Sequence, residues 1–150
     1  MKLVVGILAA ALLTITTAHA NNGLISVKSS HDVTTTANKL EEALGNKGMN
    51  VFARIDHAKA ANEISIPLRP TLLVIFGNPK VGSPLMACEQ KVAIDLPQKA
   101  LISEDAQGDV WLTYNDPQYL ATRHEIKGCD QLIGKIGKAL AYFAKAATEP

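Results

Sequence analysis

Three short stretches hold side chains able to do chemistry. In Asp56-His57 an imidazole directly follows a carboxylate. A histidine so placed can act as a general base or a metal ligand. The pair closes an alternating run, Val51, Ala53 and Ile55, and neighbours on a strand point to opposite faces. The acid therefore need not touch the ring, and a histidine that hydrogen-bonds the turn is the plainer alternative. Gly77-Asn78-Pro79-Lys80, with Gly82 close behind, follows the apolar run from Thr71 to Phe76. Such a turn can aim backbone N–H groups at a small anion, with the Lys80 ammonium adding charge. It lacks the G-x-x-x-x-G-K-[ST] spacing of a P-loop, so an ordinary strand-to-helix connection competes with that reading. Asn115-Asp116-Pro117 marks a third strand end, in residue types that commonly form turns. If the three strand ends share one rim, His57, Asn78, Lys80 and Asn115 form a ligand-binding set.

No catalytic residue, metal or cofactor is expected beyond this. His31 and His124 stand alone in the sequence, and a His57–His124–cysteine metal site has no H-x-x-x-H or H-E-x-x-H spacing behind it. The only cysteines are Cys88 and Cys129. An even count in an exported chain predicts a disulfide between them, contributing about 4 kcal/mol by loop entropy. Free thiols are the alternative; a redox pair lacks its C-x-x-C spacing.

Export is itself an expectation. Met1-Lys2 gives a positive start, Leu3 to Leu13 is apolar apart from Gly6, and Ala18-His19-Ala20 fits a small-x-small cleavage site. The run is too short to span a bilayer. Residues 1–20 therefore read as a cleaved secretory signal and 21–150 as a single domain, periplasmic or secreted and free of the membrane. The chain of 150 residues carries a net charge of +1, and the leader's Lys2 accounts for that excess. A balanced mature domain argues against a nucleic-acid partner, which selects for a basic face.

Hydrophobic periodicity supplies the elements. Leu24 to Lys28 alternates as a strand. Ser29 and Ser30 are expected to cap a helix whose face is Val33, Ala37, Leu40 and Leu44. A second strand covers Met49 to Ile55, a short helix His57 to Ala61, and a buried central strand Thr71 to Phe76. A helix is expected from Pro84 to Lys91, with the proline in its first turn. Lys99 to Glu104 and Asp109 to Tyr114 form a hairpin, and Pro117 to His124 a short helix. Asp130 is expected to cap a last helix reaching about Ala147, thinned by Gly134 and Gly137 for close packing on the sheet. The fold class is α+β: an antiparallel sheet with helices on one face.

Three blocks carry a resemblance: Arg54 to Ala61 (RIDHAKAA); Leu68 to Lys80 (LRPTLLVIFGNPK) with Gly82 to Met86; and Ala93 to Pro97 (AIDLP) leading to Trp111 to Pro117 (WLTYNDP). In this order and spacing the chain resembles the family called domain of unknown function 302. The resemblance implies a compact β-α-β(4)-α fold, like one copy of the TATA-box-binding-protein fold and often dimeric. It implies no reaction and imports no DNA binding.

Three functions follow as expectations. The first is a non-enzymatic exported domain that binds a small molecule or anion, or serves a partner protein. The second is a hydrolase- or lyase-like enzyme with His57 as general base and Lys80 as anion stabiliser, which requires the two side chains to share a cleft. The third is a structural homo-oligomer, a homodimer for instance, that meets its copy through Ala141, Ala144, Ala146 and Ala147.

Overall fold

The structure, a computed structural model, describes residues 22–150; the expected leader at 1–20 lies outside the described residues. The elements are β1 (Leu24–Lys28), α1 (Val33–Asn46), β2 (Asn50–Asp56), α2 (His57–Glu63), β3 (Thr71–Gly77), α3 (Pro79–Cys88), a 3-10 helix (Gln90–Asp95), β4 (Gln98–Glu104), β5 (Val110–Asn115), α4 (Pro117–Arg123) and α5 (Asp130–Thr148). The five strands form one antiparallel sheet in the order β1-β5-β4-β3-β2. This is the expected α+β architecture, with α1 and α5 packed together over one face.

Alternation decides which side chains face those helices. Leu72, Val74 and Phe76 of β3, Ala100 and Ile102 of β4, and Val110, Leu112 and Tyr114 of β5 are buried beneath them. Each large apolar side chain fully buried here contributes about 1.5–3 kcal/mol. On α1 the buried positions Val33, Thr36, Ala37, Leu40, Ala43 and Leu44 recur at helical spacing. Thr36 is buried without penalty because its hydroxyl donates to the Asp32 carbonyl at 2.8 Å. On α5 the same stripe is Ile133, Ile136, Leu140, Phe143, Ala144 and Ala147. The expected oligomer face thus fails in part: Ala144 and Ala147 pack into this chain's own core, and Ala146 packs against it.

β3 lies inside the sheet, but its two faces are not equally buried. Leu73 and Ile75, on the face away from α1 and α5, are only half-buried.

Several caps differ from expectation. Asp32 caps α1, its carboxylate accepting from Thr35 N at 2.7 Å. An ionised cap satisfies an orphan N–H and suits the positive end of the helix. α3 begins at Pro79, five residues earlier than Pro84, because Asn78 caps it and proline is favoured at the first position. Pro84 therefore sits inside the helix. Cys129, not Asp130, is the cap position of α5. Gly134 and Gly137 do not mark close packing, since a Cβ at either would meet nothing within 4 Å.

Candidate functional site

A groove of about 680 Å³ opens between α3 and α5, within the usual size of small-molecule sites. α3 contributes Val81, Gly82, Leu85 and Met86 to its lining, and α5 contributes Ile136, Ala139, Leu140 and Phe143. Met49 and Phe52 come from the start of β2, and Leu96 and Pro97 from the connection into β4. The lining is mostly apolar; Asn78, Ser83 and Gln98 add neutral polar groups, and Lys47 and Lys138 add charge.

Local rules place these residues. The β2–β3 register shifts between Val51 and Ala53, leaving Phe52 as the bulged residue, over half exposed. Gly77 allows the crowding beside it. A Cβ there would meet Phe52 Cε2 at 3.3 Å and Pro97 Cβ at 3.5 Å, so a larger residue would push the ring and the proline apart. Lys47, just past α1, holds its Nζ 5.1 Å from the centroid of the Tyr142 ring.

Two ties hold the α3 wall. Cys88 and Cys129 form the expected disulfide, with Cα atoms 6.6 Å apart. His124 is not isolated: its Nε2 lies 2.5 Å from Asp95 Oδ2, and Arg123 Nη1 lies 3.5 Å from Asp95 Oδ1. The His124 and Asp95 side chains are 9% and 14% exposed, so each needs the other as a partner. Both ties join the segment from α3 through the 3-10 helix to the connection between α4 and α5.

The four expected site residues do not converge. Asp56 pairs with Leu72 and Asn50 with Gly77, so His57 and Asn78 leave opposite ends of the β2–β3 ladder. Leu72 and Gly77 are five residues apart, roughly 17 Å of strand. His57 is exposed at the start of α2, and Asp56 caps that helix by accepting from Lys59 N at 2.8 Å. The proposed base and its anion stabiliser Lys80 therefore share no cleft. Asn115 leaves the same end of the sheet as Asn78 but two strands away, where it pairs with Leu24. Of the four, only Asn78 lines the groove.

Nor are the Lys80, Val81 and Gly82 N–H groups of the Gly77–Gly82 turn free for an anion. Asn78 Oδ1 accepts from Lys80 N, and the Asn78 carbonyl accepts from both Val81 N and Gly82 N, each at 2.9 Å. Asn78 Nδ2 donates to the Gly48 carbonyl at 2.9 Å. Asn78 is thus a cap that anchors the α3 wall, and Lys80 stays exposed outside the lining. Among the described residues no group of three or more His, Cys, Asp or Glu side chains could hold a metal ion.

Comparison with known proteins bears on the family and the fold. Residues 25–143 match the model of the family described as domain of unknown function DUF302. The chain belongs to the DUF302 family. Its fold matches the crystal structure of an uncharacterized conserved DUF302 protein from Bacillus stearothermophilus with a TM-score of 0.76. That likeness covers 84% of this chain and 98% of the other at 19% identity, which speaks for the fold alone. The chain is also similar to two Brucella proteins named fluoride-specific ion channel FluC 1. It is 45% identical over 106 residues to that of Brucella suis and to that of Brucella abortus. The match takes 71% of this chain but only 42% and 39% of those proteins. The chain spans about two fifths of their length.

In this DUF302 domain the blocks quoted above supply caps and ties as well as groove lining, the latter through residues such as Gly77, Leu85, Met86, Leu96 and Pro97. The FGNPK block caps and seats α3, the IDLP block supplies Asp95 to the His124 tie, and Asp116 of YNDP caps α4 by accepting from Gln118 N at 2.9 Å. The groove went unseen in the sequence because its lining is assembled from separate segments between Lys47 and Phe143, and nothing in the spacing of the quoted blocks shows that they face α5. Its local signals were the apolar Val81, Leu85 and Met86 beside a glycine, and the Leu96-Pro97 pair.

Proposed function

We propose that this DUF302 chain is an exported, non-enzymatic domain that binds a small, mainly apolar molecule in the groove between α3 and α5. The observation that carries the reading is the groove itself. It offers about 680 Å³, its lining is mostly apolar, and few polar groups converge on it. Export is supported by the leader-like residues 1–20 and by the Cys88–Cys129 disulfide, which suits an oxidising compartment. Recovery of periplasmic protein beginning at Asn21 tests that part.

Binding is tested with N-phenyl-1-naphthylamine, a neutral fluorescent probe. Saturable binding to the native protein, lost in Ala139→Trp, supports the groove. Ala139 is exposed and lines it, so the indole fills the space without disturbing the core. No saturable binding, or binding that survives Ala139→Trp, overturns it.

A second reading is an accessory domain working beside a membrane ion channel. The similarity to a stretch of the two Brucella proteins favours it, since this chain's described residues include no helix long and apolar enough to cross a membrane. Growth of a deletion strain in graded sodium fluoride tests it: increased sensitivity supports the role, and unchanged growth contradicts it.

A further inference from the structure

The charged residues that line the groove are Lys47 and Lys138. No aspartate or glutamate lines it, and neither lysine is in an ion pair among the described residues. Both lysines are exposed while also lining the groove, so they bring positive charge to its solvent-facing rim. The Tyr142 ring holds the Lys47 ammonium without neutralising it, because the attraction to the ring quadrupole removes no charge. This positive rim is not part of a generally basic surface, since the whole chain carries a net charge of only +1.

An apolar cavity rejects an ionised group unless that group is paired or stays in water. A molecule with one apolar body and one charged end would therefore seat the body between α3 and α5 and leave the charge at the rim. From the sign of that rim we infer that the occupant is an amphiphilic anion, an apolar chain or ring carrying a single carboxylate-like head near Lys47 and Lys138. The inference rests on the groove being the binding site. It does not use the start of α3, whose first N–H groups are already bonded to Asn78.

Three ligands with the same chain and different heads isolate the claim: decanoate, decanol and decyltrimethylammonium, each displacing the neutral probe at neutral pH and low salt. Two partly solvated charge contacts predict that decanoate binds about tenfold tighter than decanol, with the cation weakest. Added salt shrinks the preference, since the rim is exposed. The ratio of decanoate to decanol affinity falls towards one in Lys47→Gln/Lys138→Gln. If decanol displaces the probe and decanoate binds no tighter, the groove reading stands and the anion inference is overturned. If no ligand displaces the probe, the anion inference is overturned, while probe binding that is lost in Ala139→Trp still upholds the groove. If the preference survives in the double variant, the head is bound elsewhere and the inference is overturned.

Discussion

Lys47 Nζ sits 5.1 Å above the Tyr142 ring, joining the end of α1 to the last helix at the mouth of the groove. The two elements are far apart in sequence, and their side chains meet because α1 and α5 pack together over the sheet. Tyr142 also meets the buried Phe143 edge-on, with ring centroids 5.6 Å apart, so its ring is braced. A cation over an exposed ring contributes only about 0.5–1 kcal/mol. Tyr142→Leu is therefore expected to change unfolding free energy by less than about 1 kcal/mol while weakening probe binding. Urea denaturation and probe titration on the same preparation check both halves.

The Cys88–Cys129 bond closes a loop across a sequence separation of 41. By loop entropy, Cys88→Ser/Cys129→Ser is expected to cost about 4 kcal/mol of stability. The loss should also be local. Amide exchange ought to rise first in α3 and the 3-10 helix, which the bond ties to α5. Uniform loss of protection would contradict the proposed role in holding the wall.

Asp95 is the second tie. Asp95→Asn removes the carboxylate from the nearly buried His124 ring and from Arg123. The expected loss is about 1–3 kcal/mol, the usual cost of depriving a buried group of a charged hydrogen-bond partner. Equilibrium denaturation measures it, and an unchanged midpoint would show that the tie contributes nothing.

Asp105 gives the clearest pH dependence. The Trp111 indole N–H donates to its carboxylate at 2.9 Å, and Asp109 N and Gln107 N add further bonds. These hold its pKa below the ordinary aspartate value of 3.8, with the Trp111 bond the largest cause. A carboxyl depressed in the folded state favours folding above its unfolded pKa and loses that contribution as pH falls through the folded one. Asp105→Asn should therefore narrow its stability gap from the native protein below about pH 4, and keep it constant between pH 6 and 8. Denaturation midpoints across that range, followed by Trp111 fluorescence, test the sign.

The sheet and its two long helices were legible because periodicity alone separates a strand such as Leu24–Lys28 from the α1 stripe of Val33, Ala37, Leu40 and Leu44. The disulfide was legible because two cysteines allow a single pairing within the chain. The site was not. Strand ends look alike in a sequence, and only the antiparallel register reveals that His57 and Asn78 lie at opposite ends of one ladder. The Asp95–His124 pair spans 29 residues with no motif to announce it. Asn78 drew attention as a possible ligand, and the same polar side chain that suits a ligand also suits a helix cap.

The most direct test of the groove as a binding site is a methyl NMR titration of the full domain with N-phenyl-1-naphthylamine. The account predicts saturable shifts at Met49, Leu85, Met86 and Leu96, which line the groove, with Ile55 and Leu73 on the sheet face opposite the core unmoved. Shifts confined to Ile55 and Leu73, or no saturable shift at the groove methyls, would contradict it.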